Sequence, residues 1–358
     1  RCSRDWSSDV CSSDLEALER LALGSSSGSE EEIRIKKLFE DVLEEGKYKR
    51  AAEDGVRSQT GQRDKFIAGI ARSGRYLGEI ESLFSAYGLP RELTRLIFVE
   101  SMFNLQAVSK TGASGIWQFM PATGKLYLQM NEIVDERNDP VAATHAAARL
   151  LRHNYDELGT WSLAVNAYNS GRGRMKQAVE RLGTTDIAKI IREFESPGYG
   201  FASRNFFPEF LAALEVAEKA DEYFGPIEHD PPLRYESVTL KHTILLPEAA
   251  KISGIELSEL AELNPAITPR AASGARPIPA GFEMRVPEGK GELFLAAAAR
   301  SPSSRTGPLK HLVAKEETLQ AIARMYGVEP RAIVEANEGM GWRVKTGQTI
   351  LVPVGTGR

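Results

Sequence analysis

One glutamate sets the chemistry to look for. After Pro90, the apolar residues Leu93, Leu96, Ile97 and Phe103 recur at helical spacing, and Glu100 falls on the same stripe. A carboxylate on a face that otherwise turns inward is costly unless it is paired or protonated. Burial lifts its pKa toward neutrality, where a carboxylic acid can give a proton to a leaving group. The bland reading is a structural glutamate paired to Arg91 or Arg95, and periodicity by itself favours that pairing.

Residues downstream suit a site that handles a sugar. Gly112 and Gly115 allow a tight turn or a close approach of backbone to ligand. Gln118 offers both a donor and an acceptor to an amide or hydroxyl. Trp117 and Tyr168 present flat apolar faces with polar tips, although Trp117 reads equally well as core and Tyr168 as a backbone hydrogen-bond donor. Glycosidases ordinarily use two carboxylates, and only one stands in a motif here.

The elements that must position these residues are helical. A helical stretch runs from about Asp64 to Tyr87, and a helix opens at Pro90. Asn138-Asp139-Pro140 starts another, with Val141, Thr144, Ala148, Leu151, Tyr155 and Leu158 as its inward stripe. His145 and His153 on that helix read as structural or surface residues, not catalytic ones. Glu30 to Asp54 reads as a solvated helix, and the Gly24–Ser29 run as a flexible linker. Residues Arg1 to Leu15 show no helix or strand period and resemble a translated sequencing-adaptor read. On that reading Cys2 and Cys11 are foreign to the protein, and the lack of a leader says nothing of location.

The C-terminal part holds an internal repeat. Gly254-Ile255-Glu256 matches Gly327-Val328-Glu329, Leu260 matches Ile333, Glu262 matches Glu335, and Asn264 matches Asn337. Each copy opens with Leu-Lys-His, at Leu240 and Leu309, and closes on a strand-like run ending in Val-Pro, so each reads strand, helix, helix, strand. The first copy carries an extra Pro-rich insert from Pro265 to Pro279. Pro231-Pro232 and Ser301–Pro308 have linker composition.

Composition narrows the class. The chain has 358 residues, 42% hydrophobic and 26% charged, which suits about two or three soluble domains. A net charge of −4 argues against nucleic acid as a partner. Two cysteines and five scattered histidines argue against a disulfide scaffold or a structural metal site, and no cofactor or metal is expected.

Three motifs in order carry a resemblance. Glu100-Ser101, then Ser109 to Pro121 with Gly115-Ile116-Trp117-Gln118, then Ala167-Tyr168-Asn169-Ser170-Gly171, resemble the catalytic stretch of the family 1 lytic transglycosylases (SLT domain) over about residues 87 to 224. The second repeat, with Thr318-Leu319 at its first helix start, resembles a LysM module, and the first is a degenerate copy. The resemblance implies that Glu100 is the single acid/base. It would cleave the β-1,4 bond between N-acetylmuramic acid and N-acetylglucosamine and form a 1,6-anhydro product. It further implies that Ser109, Gln118, Tyr168 and Asn169 bind substrate, and that Thr318, Leu319 and Asn337 serve carbohydrate binding in the LysM unit. The family's tyrosine hydroxyl in its last motif is missing at Ala202–Pro208, and Tyr168 or Tyr199 could stand in for it.

The expected fold is mainly α: a lysozyme-like all-α catalytic domain plus two small βααβ (LysM-like) modules. The expected division is residues 1–29, the adaptor-like run and linker; 30–86, a helical N-terminal region; 87–226, the catalytic domain; 236–288, the degenerate module; and 309–354, the LysM module. The expected partner is the peptidoglycan glycan strand. The expected place is the periplasm, with outer-membrane anchoring through a lost N-terminus left open. The rival expectations are a goose-type-like muramidase and a catalytically idle wall-binding protein.

Overall fold

The computed structural model describes residues 6–55, 62–301, 309–314, 317–326 and 328–353. α1 (Trp6–Ala22), α2 (Glu30–Leu38) and the single-turn α3 (Lys47–Arg50), which runs on into a π-helical turn at Ala51–Gly55, gather round Ala17, Leu18, Leu21 and Ile35. Three expectations change here. Glu30 to Asp54 is not one solvated helix: α2 ends at Leu38 with Glu32 and Ile35 buried, and helix resumes only at Lys47. The chain is already helical from Trp6, because residues 17–21 of the same helix have an apolar face to bury against Ile35. The Gly/Ser run is folded over the buried Glu32: Ser26 Oγ, Ser27 N and Oγ, and Gly28 N donate to its carboxylate at 2.8–3.0 Å. With Arg20 donating as well, the Glu32 carboxyl is held down at about 2.

The helical stretch expected here consists of two helices, α4 (Gln62–Ser73) and α5 (Leu77–Ala86). The break falls at Gly74, where a Cβ would lie 2.3 Å from the carbonyl oxygen of Asp230. Asp230 N donates to Ala71 O at 2.9 Å. The approach to Pro231-Pro232 is therefore laid against α4, not strung out as a linker.

A 3₁₀ turn at Arg91–Arg95 leads into α6 (Leu96–Glu100), whose Leu96, Ile97 and Phe98 are buried. α7 (Pro121–Tyr127), α8 (Pro140–Leu158), α9 (Trp161–Ser170), α10 (Arg172–Leu182), α11 (Ile187–Glu193), α12 (Phe201–Glu218) and α13 (Ala220–Phe224) complete the helical part. α8 starts where its sequence signals place it: Asp139 Oδ1 accepts from Val141 N and Ala142 N, both at 2.9 Å, and Pro140 needs no donor in the first turn. Its buried face, Ala143, Thr144, Ala147, Ala148 and Leu151, meets α5 and α9 in a core shared with Phe84, Trp117, Val165, Phe206 and Phe210. His145 and His153 are structural, each Nδ1 bonded to a tyrosine hydroxyl, Tyr87 at 3.1 Å and Tyr127 at 3.2 Å.

Two small units follow. β1 (Tyr235–Thr239) pairs antiparallel with β2 (Glu283–Pro287), Val238 facing Met284, around α14 (Leu246–Ser253), α15 (Leu257–Leu263) and the short α16 (Pro269–Ala272). α17 (Gly291–Arg300) then packs on α14. β3 (Leu309–Leu312) pairs with β4 (Thr349–Val352) around α18 (Leu319–Tyr326) and α19 (Pro330–Glu335). The mainly α fold with two small βααβ units is as expected, with α16 added inside the Pro-rich insert.

The matching asparagines of the repeat do one job twice. Asn264 donates to Leu260 O and Arg285 O and accepts from Arg285 N, and Asn337 does the same with Ile333 O, Leu351 O and Leu351 N. Each pins the end of the second main helix to the closing strand.

The first unit is seated on the helical part. Val134 and Ile267 form an antiparallel bridge, Asp135 N donates to Ala266 O at 2.7 Å, and Thr268 N donates to Ile133 O at 2.9 Å. Ile133 and Val134 join the unit's apolar core. Arg285 clamps Asp139 at 2.7 and 3.2 Å. No helix among the described residues is long and apolar enough to cross a membrane.

Candidate active site

Glu100 ends α6. The stripe that runs on to Phe103 in the sequence does not continue as helix: Met102 and Phe103 take left-handed φ of 52° and 56°. The reversal is held from outside. Ser101 Oγ donates to Ile116 O at 2.8 Å, and Arg72 donates to Met102 O at 2.6 Å and Phe103 O at 3.3 Å. Phe103 still reaches the core, which is why its position mimics helical spacing. With Gln118 at φ 48°, these are the three non-glycine residues at positive φ among the described residues, and all lie within a span of seventeen positions that begins two residues after Glu100. Strain of this kind persists only where surroundings over-determine it, and it concentrates at functional sites.

The structural pairing for Glu100 is absent. Arg95 binds Glu81, and Arg91 lies 3.7 Å from Glu92 at the surface. Among the described residues Glu100 has no hydrogen bond or ion pair. Desolvation, with a smaller contribution from the like charge of Glu209, pushes its carboxyl up to about 8. A group of that kind is protonated at neutral pH and can donate; once emptied, it can take a proton back.

The other expected residues divide. Tyr168, on α9, donates to Trp117 O at 2.8 Å, and burial together with the nearby charge of Glu100 raises its hydroxyl well above the usual tyrosine range. Tyr199 is buried elsewhere, donating to Asn166 Oδ1 at 3.4 Å, so of the two tyrosines only Tyr168 stands within the field of Glu100. Gln118 spends its amide nitrogen on Ala107 O (3.0 Å) and Gly115 O (2.9 Å), which leaves its Oε1 as the acceptor end of the side chain. Ser109 Oγ accepts from Ala113 N at 2.9 Å and closes the turn before Gly115. Asn169 is exposed and accepts from Ser203 Oγ at 2.9 Å. Trp117 is not a sugar platform: it is fully buried, stacked on Phe84 at 5.5 Å, and donates from Nε1 to Thr144 Oγ1 at 2.9 Å.

In the second small unit, the three residues expected to meet carbohydrate are committed to the unit's own fold. Thr318 Oγ1 accepts from Ala321 N at 3.2 Å as a helix cap, Leu319 is core, and Asn337 is the strand pin. Trp342, 59% exposed, and Leu312, 65% exposed, are the large apolar side chains the unit leaves open among the described residues. Two acidic and basic contributors escape the motifs. Glu209 flanks the buried Phe206–Phe210 stripe of α12, and its own carboxyl is raised by partial desolvation. Arg137, 9% exposed, holds the turn beside Gln118. Neither belongs to a sequence pattern that marks chemistry. Among the described residues no cluster of side chains could hold a metal ion.

Residues 84–191 match the family model of the transglycosylase SLT domain, and residues 311–353 match that of the LysM domain. The chain thus carries an SLT domain around Glu100 and a LysM domain after it. Among known proteins it is similar to membrane-bound lytic murein transglycosylase D of Escherichia coli, 28% identical over 80% of this chain and 65% of that one. The chain therefore spans just under two thirds of that relative's length. It is also 34% identical, over 31% of its length and 55% of the other's, to a putative tributyltin chloride resistance protein of Alteromonas. A solved structure, the 70 kDa soluble lytic transglycosylase of E. coli, overlays 42% of this chain and 25% of that one at a TM-score of 0.31 and 21% identity.

Proposed function

We propose that the protein is a lytic transglycosylase of peptidoglycan, cleaving the β-1,4 bond from N-acetylmuramic acid to N-acetylglucosamine. The observation that carries this reading is Glu100: a desolvated carboxyl with no hydrogen bond or ion pair among the described residues, inside the stretch that matches the SLT domain. Protonated Glu100 gives its proton to the glycosidic oxygen while the substrate's 2-acetamido group assists departure. The emptied carboxylate then takes the proton of the muramic acid C6 hydroxyl, which attacks C1 and closes the 1,6-anhydro ring without water. Tyr168, Gln118 Oε1 and Asn169 position the sugar. The periplasm is the compartment where this substrate lies, and the similarity to a membrane-bound relative supports a wall-facing location.

Glu209 favours one second reading. A further carboxylate near the acid could hold an attacking water, which would make the enzyme a hydrolase. Digestion of purified sacculi followed by mass spectrometry decides between them, because the anhydro product is lighter by one water.

The acid also fixes a pH profile. Its folded-state pKa is raised from 4.5 to about 8, so the active, protonated form persists through neutrality. We expect kcat/KM to be level below about pH 8 and to fall above it. A limb near pH 5 with no alkaline limb would remove Glu100 from the acid's role.

The LysM domain accounts for hold on the polymer. A tethered glycan-binding unit raises the effective concentration of the cleft at an insoluble surface without touching the chemical step. Removing residues 309–358 is expected to leave cleavage of soluble muropeptide strands unchanged and to reduce binding to intact sacculi. Trp342→Ala in the full chain should reproduce part of that loss. Equal losses on soluble and insoluble substrate would show that the unit supports the catalytic domain instead.

A further inference from the structure

Residues 132–139 touch the turn beside Glu100 on one side and the first βααβ unit on the other. Asp135 takes two arms of Arg137, Oδ1 accepting from Nε at 2.9 Å and Oδ2 from Nη2 at 2.7 Å. The remaining Nη1 donates to Gly112 O at 2.7 Å and Phe119 O at 3.1 Å, the two ends of the turn that carries Gln118. Ser114 Oγ donates to Asn138 Oδ1 at 2.6 Å. The backbone is so close that a Cβ on Gly115 would lie 1.8 Å from Arg137 O.

The opposite side of this segment belongs to the first unit. Asp135 N is bonded to Ala266 O, Val134 bridges Ile267, Glu132 takes Arg276 Nε at 2.7 Å, and Asp139 takes Arg285. Ala266, Ile267 and Arg276 all come from the Pro265–Pro279 stretch, the part of the loop where the first copy is seven residues longer than the second (21 against 14 positions from asparagine to strand partner). The feature that makes the first copy look degenerate is thus the surface by which it docks.

We propose that the first unit is a brace for the catalytic turn and that Arg137 is the positioning residue through which docking is felt at Gln118 and Glu100. The turn holds left-handed backbone at Gln118, and a strained loop relaxes unless its surroundings over-determine it. The unit fixes Asp135, Asp135 orients the guanidinium, and the guanidinium ties both ends of the turn. This inference rests on the lytic reading, and small displacements of positioned groups cost rate: a shift of about 1 Å can lower turnover about a hundredfold.

The test uses the full chain and soluble muropeptide strands, so that hold on the wall does not enter. The Ile267→Asp/Arg285→Ala pair undocks the unit, and Arg137→Lys keeps the charge but has three donors on one atom, too few for the two-armed grip on Asp135 together with both carbonyls. Each should lower kcat by about tenfold or more while KM stays within about twofold, and the combination should lose no more than either alone. Hydrogen exchange should quicken at residues 112–119 and stay unchanged in α9. Glu262→Gln, on the separate contact with Arg75 of the α4 side, should leave kcat at the wild-type value. Wild-type kcat in the undocked pair, with exchange at residues 266–268 showing that it has undocked, overturns the proposal. If that pair fails to fold, Arg137→Lys decides, and unchanged kcat there overturns it equally. Wild type inactive on this substrate would sink the lytic reading, and the exchange pattern at residues 112–119 would still decide the brace.

Discussion

Glu100→Gln is expected to keep the helical fold and to cleave murein at least ~10²–10⁴-fold more slowly than wild type, the usual contribution of a placed acid. The amide preserves the shape of the side chain at the end of α6 and removes the transferable proton. A second readout separates this from simple damage. A carboxyl raised from 4.5 to about 8 on folding stabilises the protein below its unfolded value, and that stability is lost as pH rises through about 8. Above pH 8 wild type holds a charge with no partner in a desolvated place, and the Gln variant does not. The variant should therefore melt higher than wild type at pH 9 and lose this advantage near pH 5. Residual activity above about a tenth of wild type would move the acid elsewhere; equal melting at pH 9 would mean that Glu100 is better solvated than its surroundings indicate.

The second large effect is thermodynamic. Trp117→Ala should cost about 3–5 kcal/mol of stability, the usual range for truncating a buried aromatic. The indole is fully buried, parallel to Phe84, and bonded through Nε1 to Thr144 on α8, so its loss opens a cavity at the centre of the main core. Thermal or denaturant unfolding measures it directly. A variant that melts like wild type and only binds glycan more weakly would restore the sugar-platform reading that its neighbours in sequence suggest.

The contrast between Glu100 and Trp117 shows where sequence is informative. The place of Glu100 on an inward stripe, the capped start of α8 at Asp139 and the paired strands of the two small units are legible, because each rests on spacing or on a local capping group; that Glu100 lacks an arginine partner is not, since spacing alone favours the pairing. The helix end at Glu100 was not: Phe103 occupies a helical spacing yet reaches the core by a left-handed turn that depends on Arg72, some thirty residues earlier. Trp117 could be core or platform until Phe84 and Thr144 were placed around it. Asn337 repeats Asn264, and repetition reported a shared bond pattern in the fold, not a shared ligand. Glu209 and Arg137 act only through neighbours distant in the chain, so no local pattern announces them.

The two asparagine pins have a bearing on how such a protein diversifies. Asn264 reaches its strand partner across 21 positions and Asn337 across 14, yet both close the same geometry. Lengthening a closed loop by half costs only a few tenths of a kcal/mol in chain entropy. The pin therefore marks a place where a duplicated unit can accept new residues almost without penalty. One copy carries a docking surface there, and the other has the shorter loop. Transplanting residues 265–279 behind Asn337 is accordingly an engineering route: it should leave the second unit folded and offer a way to attach further domains rigidly to this scaffold.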